Sequence, residues 1–251
     1  MSLYSDVAER LETSLKLALP PVSVCITNEV PEDIQRFSGK APAGCLFWQE
    51  AAKGPFFTST EDHELCAIGV HTHHMADPSL SYASELGQVL KVMAELDYVC
   101  EEDVTQIPVV TEASKHVLYS PLADTPLPPD VVLLFAHSQQ GLVITEAVQQ
   151  IQSDIPPAMG RPACAVIPQV INSGRVALSL GCCGARAYLD ALSDDIALWA
   201  IPGNQIEVYA ERIEALAGAN ETLSAFHQLR RKDVESGLTP TIEESLSRLA
   251  G

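Results

Sequence analysis

The sequence predicts an α/β or α+β fold built from two similar α/β halves, with helices at the C-terminus. Three observations carry this expectation. Short β-branched or apolar runs alternate with longer segments of helical apolar spacing. Two cysteine-bearing stretches repeat one pattern on either side of the midpoint. From about Gln205 onward the pattern is helical only.

The elements follow in order. Val7, Leu11, Leu15 and Ala18 have the spacing of an N-terminal helix, which Pro20 and Pro21 stop. "VSVCIT" (22–27) is short and β-branched, the signature of a buried strand. Residues 41–54 read as a short helix ending at Gly54. "PFFTSTEDHELC" reads as extended, then a turn, with Thr60 or Asp62 capping a helix from about residue 63. Residues 81–96 form an amphipathic helix pattern. "HVLYSPL" and "DVVLLFA" read as strands joined by the proline-rich "ADTPLPPD". A helix is expected from about 139 to 152, then strands at "RVALSL" and "ALWAIPG". The tail holds "IEVYAERIEALAG", "ETLSAFHQLRRKDVES" and "TIEESLSRLA", the last behind a helix-starting "LTP". Residues 1–251 are expected to form one compact domain, with half-repeats at about 20–100 and 115–203 and a helical tail at 204–251.

Composition excludes several classes. Of 251 residues, 47% are hydrophobic, too many for a disordered chain. The net charge of -18 disfavours nucleic acid and anionic membranes, which recruit positive surfaces. "RRKD" (230–233) reads as a solvated helix turn. No stretch approaches a membrane-spanning length, and the N-terminus lacks the basic start and apolar block of a secretion signal. A cytoplasmic protein with reduced thiols is expected, and an odd count of seven cysteines argues against a simple disulfide framework. Neither a G-x-G-x-x-G turn nor a Walker sequence is present.

The repeated pattern centres on cysteine. "AGCLFWQEAAKGPFFTSTEDHELCAIGVH" and "PACAVIPQVINSGRVALSLGCCGARAYL" each begin with small residues and a cysteine, then run through an apolar helix to a glycine. Each then reaches a second cysteine, 21 residues on in the first stretch (Cys45 to Cys66) and 18 in the second (Cys164 to Cys182). If the halves pack about a pseudo-two-fold axis, these loops converge on one site. Four thiolates suit zinc or an iron–sulfur cluster, although the close C-x₂-C knuckles of familiar sites are absent. Gly181 and Gly184 leave room for backbone near a cluster, and Arg186 offers a charge for an anionic centre or substrate. The competing reading is four small buried hydrophobes, the usual state of free cysteine.

The blocks "AGCLFW…TEDHELCAIG", "PDVVLLFA" and "ACAVIPQVINSGRVALSLGCCGARAY" resemble the bacterial and archaeal family called domain of unknown function 169, from the first strand to Gly203. The resemblance implies a soluble protein common in anaerobes, with no assigned reaction. Cys45, Cys66, Cys164 and Cys182 match its pattern, and Cys183 stands where variation is expected. The resulting expectation is an iron–sulfur or other thiolate–metal protein, redox-active through a partner protein or small molecule, with zinc as the alternative ion. A homodimer is the base expectation.

Other chemistries are legible. The vicinal Cys182–Cys183 pair suits a labile redox disulfide. In "HTHHM", His71 and His74 lie three apart, and His63 or Asp77 would complete a metal site; a solvated helix end is the plainer reading. A Cys–His nucleophile would draw on His116 or His137. Phe47, Trp48, Phe56 and Phe57 read as core. A non-catalytic module holding a small ligand between halves is the alternative from outside redox chemistry.

Overall fold

The structure is a computed structural model describing residues 2–249 except 64, 79, 157, 160, 161, 183 and 189. Seven strands form one sheet: β1 (Val22–Thr27), β2 (Phe56–Ser59), β3 (His116–Pro121), β4 (Val131–His137), β5 (Ala158–Met159), β6 (Ala177–Ser179) and β7 (Ile196–Pro202). Their order is β2-β3-β1-β4-β7-β6-β5. Neighbours are antiparallel except β5 and β6, which run parallel.

The sheet is symmetric about its central β1–β4 pair. Val22 faces Leu133, Ser23 faces Val132 and Val24 faces Val131, so Val22 and Val131 hold equivalent places. Outward from the centre, β3 and then β2 follow β1, just as β7 and then β6 follow β4. Pro121 lies opposite Val22 and Pro202 opposite Val131. Each proline ends its strand and opens a 3₁₀ turn, Leu122–Asp124 or Gly203–Gln205. The symmetry is one of topology and register.

Helices cover both faces, which explains why the central strands are apolar at nearly every position. On one face, Val24, Tyr119, Leu133, Phe135 and Leu198 pack against Phe47 and Trp48 of α2 (Leu46–Glu50). The same cluster takes in Val70 of α3 (Ala67–His73) and Ile167 and Val170 of α7 (Val166–Ser173). On the other face, Val132, Leu134, Trp199 and Ile201 meet three longer helices. These are α1 (Leu3–Leu15), α6 (Ser138–Gln152) and α8 (Ile206–Glu235). Full burial of each such Val, Leu or Ile contributes about 1.5–3 kcal/mol against the entropy of ordering the chain. The remaining helices are α4 (Leu80–Glu95), α5 (Glu101–Thr105) and α9 (Ile242–Leu249). No described helix is long and apolar enough to cross a membrane.

Several element boundaries depart from expectation. The first helix stops at Leu15, where Lys16 turns left-handed, so Ala18 lies outside it. The helix expected from about residue 41 starts at Leu46 and passes into a 3₁₀ turn, Ala51–Lys53, before Gly54. The helix expected from about residue 63 starts at Ala67 with Cys66 as its cap; a 3₁₀ turn, Thr60–His63, precedes it, and Asp62 accepts from the Ser59 N–H at 2.8 Å. The two tail segments are one continuous α8, because the glycine between them, Gly218, is tolerated within the helix.

Candidate functional site

Cys45 and Cys164 belong to the core cluster under one sheet face, and Cys182 packs against it. Cys45 precedes α2, and Cys164 lies in the 3₁₀ turn Ala163–Ala165 that leads into α7. Cys66 caps α3 after β2, and Cys182 precedes a π-type turn, Gly184–Tyr188, after β6. Cys45, Cys66 and Cys164 are buried and Cys182 is half-buried. Burial, then the neighbouring Cys164, Cys66 and Cys182, pushes the Cys45 thiol well up. Cys164 is raised by burial and by Cys66 and Cys182, against a lowering hydrogen bond from Thr72. Each sulfur of the set therefore lies within electrostatic reach of another.

The donor set is right in kind for a soft metal: sulfur, three of the four buried. No cation is among the groups acting on Cys45 or Cys164, so both stay protonated until something positive binds. Two sulfurs already accept hydrogen bonds. Thr72 Oγ1 donates to Cys164 Sγ at 3.4 Å, and the Ala185 N–H donates to Cys182 Sγ at 3.5 Å. Among the described residues, no three Cys, His, Asp or Glu side chains stand in ligating geometry. A metal would have to draw the thiols inward.

Histidines complete the cluster. His63 is buried, and its Nε2 lies 2.9 Å from Thr58 Oγ1. Burial, then the neighbouring His73, pulls its pKa down to about 3. His73 is also buried, with Nδ1 2.6 Å from the Gly69 carbonyl; burial lowers its pKa despite that bond. The two rings lie 6.1 Å apart. Glycines make the space: a Cβ on Gly69 would stand 2.9 Å from Cys66 Sγ, and one on Gly44 would stand 3.2 Å from His63 Nδ1. His73 Nε2 and Tyr119 OH are buried with no hydrogen-bond partner among the described residues. Burial, then the cysteines Cys164, Cys66 and Cys45, raises the Tyr119 hydroxyl well above its ordinary value. An unsatisfied buried polar atom costs about 1–3 kcal/mol.

Other expected site residues are placed differently. Arg186 is not aimed at the sulfurs. Its guanidinium donates to the carbonyls of Leu180, Leu192, Ser193 and Ile196, tying the segment after β6 to the start of β7. Gly181 serves that clamp: it has φ +86°, and a Cβ there would stand 3.0 Å from Arg186 Nε. Gly184 does approach a sulfur, since its Cβ would stand 3.9 Å from Cys182 Sγ. Cys183, and with it the vicinal pair, lies outside the described residues. His71 and His74 are exposed, with His74 Nδ1 2.9 Å from the Val110 carbonyl, and Asp77 is exposed too. They form a solvated helix end, while His73 between them turns inward. His116 meets Ser59 Oγ at 3.0 Å and His137 caps α6, so neither serves a clustered cysteine. Cys25 is separate as well: it points toward the Pro128 carbonyl at 3.6 Å, and burial, then Asp130, raises its thiol to about 12. Phe47, Trp48 and Phe56 are core, as expected.

The fold defines a class: an α/β protein with one mixed sheet and helices on both of its faces. Within that class, the chain belongs to the family domain of unknown function 169, described as "Uncharacterised ArCR", whose model matches residues 10–212. The matched span holds the whole sheet and all four clustered cysteines and ends within α8. No curated protein and no solved structure matches the chain.

Proposed function

We propose that Cys45, Cys66, Cys164 and Cys182 bind an iron–sulfur cluster and that the protein exchanges electrons through it with a partner protein or small molecule in the reducing cytoplasm. The observation that carries this reading is that Cys45, Cys66, Cys164 and Cys182 lie within electrostatic reach of one another, three of them buried. An internal duplication explains why two loops distant in sequence supply matched ligands, and the symmetric β1–β4 register supports it. A bound cluster supplies a one-electron centre at this face. The chain itself excludes water with Phe47, Trp48 and Tyr119, and it donates to sulfur from Thr72 and the Ala185 N–H. Such hydrogen bonds shift a thiolate-held centre to higher potential. Half-buried Cys182 is the sulfur nearest solvent and the natural side for a partner to approach.

The test is purification under strict anaerobic conditions with assay of iron, acid-labile sulfide and zinc. Stoichiometric iron and sulfide are expected. Zinc alone makes the site structural. A folded protein with neither leaves a non-catalytic ligand-binding module as the better reading.

A further inference from the structure

We propose that the C-terminal arm is a dimer interface: one face of the hairpin formed by α8 and α9 packs on the same face of a second copy, about a two-fold axis along the arm. The inference is independent of the metal reading above. The arm lies beyond the family match, which ends at residue 212. Except for Asn220, every residue from 218 to 225 is exposed, so α8 here stands clear of the sheet layers. After the connection 236–241, α9 folds back along the end of α8. Arg248 donates to buried Asp233 at 2.8 Å, and Phe226, Asp233 and Ser245 fill the seam. Helices this far from a core draw their stability from covering an apolar face.

Helical phase defines the face left uncovered. Leu223 and Val234, eleven residues apart, project together about a quarter turn from Phe226 and Asp233. Ile242 and Leu246 project about a quarter turn from Ser245, in the same rotational sense. Antiparallel helices turn equal offsets to one side, so these four side chains share one face of the hairpin. They are 49–67% exposed, and Leu238 in the connection is exposed as well.

Charge selects a second copy as the occupant. Residues 218–251 carry four basic and five acidic side chains, so the arm holds -1 of the chain's -18. A cationic partner would be drawn to the body and not to this near-neutral face. By the same phase, Arg231 edges the face on the α8 side and Glu243 on the α9 side. Arg231 also donates through Nε to Glu235 of its own helix at 2.8 Å. A two-fold axis along the arm lays each α8 against the partner's α9. Val234 then meets the partner's Ile242, and Arg231 meets the partner's Glu243. Opposite signs on matched edges make the face self-complementary, as an isologous interface requires.

The test is sedimentation velocity of the full chain from about 1 to 100 µM. A concentration-dependent dimer is expected. Val234→Glu and Ile242→Glu, each at an exposed position, should weaken it by about tenfold or more, with far-UV circular dichroism unchanged. Arg231→Glu and Glu243→Arg should each weaken it, and the double variant should recover most of the loss. A monomer at every concentration overturns the proposal and leaves the face to a different protein. A dimer indifferent to Val234→Glu and Ile242→Glu is built elsewhere, which also overturns it. Single reversals that weaken the dimer without recovery in the double variant overturn the two-fold arrangement.

Discussion

Removing the titratable ring at position 63 should flatten the acid sensitivity of the metal-free protein. His63 is 1% exposed, and its pKa falls from 6.5 to about 3 through burial and the neighbouring His73. In the unfolded chain the ring takes a proton below about 6.5; in the folded chain it stays neutral to about 3. The unfolded state therefore binds more protons across this window, and stability falls as pH falls through it. At about 1.4 kcal/mol per unit, the loss from this one group reaches about 2 kcal/mol by pH 5. His73 acts in the same direction. Urea unfolding of apo wild type and of His63→Gln, at about pH 7.5 and pH 5, separates this group from the acidic surface both proteins share. Wild type should lose about 2 kcal/mol more than the variant on acidification. Equal losses would refute the reasoning, since His63 would then be no more shielded folded than unfolded.

Three further outcomes follow from the geometry. Gly69→Ala presses a methyl against Cys66 Sγ at 2.9 Å and should cost about 1–3 kcal/mol in thermal or urea unfolding, with weakened metal retention. Arg186→Lys leaves one ammonium where a guanidinium spans four carbonyls, so Cys182 should react several-fold faster with a thiol reagent while exposed Cys100 is unchanged. Gly203→Ala would set a Cβ 1.8 Å from the Pro129 carbonyl oxygen where β4 meets β7 and should lower the melting temperature severely; Gly218→Ala, with open space on α8, should be neutral or stabilising by up to about 1 kcal/mol.

Much of the framework is legible in residue order. "VSVCIT" is β1 as read, because a short β-branched run behind a proline pair has few other uses. The four cysteines were marked by their repeated setting; Cys164, Cys66 and Cys182 act electrostatically on the Cys45 thiol, while no three described side chains stand in ligating geometry. His63 reads only as a third partner for His71 and His74, and His73 is missed; the reason is helical phase. With the helix starting near 63, His71 and His74 seem the functional pair. With Cys66 capping and Ala67 first, Ala67, Val70 and His73 fall on the inward face, spaced by three, and His71 and His74 turn out. The apolar Ala67 and Val70 held that signal. Arg186 misled differently. Its nearness to Cys182 in sequence suggested charge pairing, but the carbonyls that claim it come from a loop whose course only tertiary structure fixes. Tyr119 reads as a strand aromatic, and nothing local shows that its hydroxyl is buried without a hydrogen-bond partner among the described residues.

The central claim is that four particular thiols, and not cysteine in general, hold an iron–sulfur centre. The most direct measurement is iron and acid-labile sulfide content after anaerobic reconstitution of Cys45→Ser, Cys66→Ser, Cys164→Ser and Cys182→Ser beside Cys25→Ser and Cys100→Ser. The account predicts that each of the first four loses most of its iron and sulfide while the last two match wild type. Equal content across all six variants would contradict it.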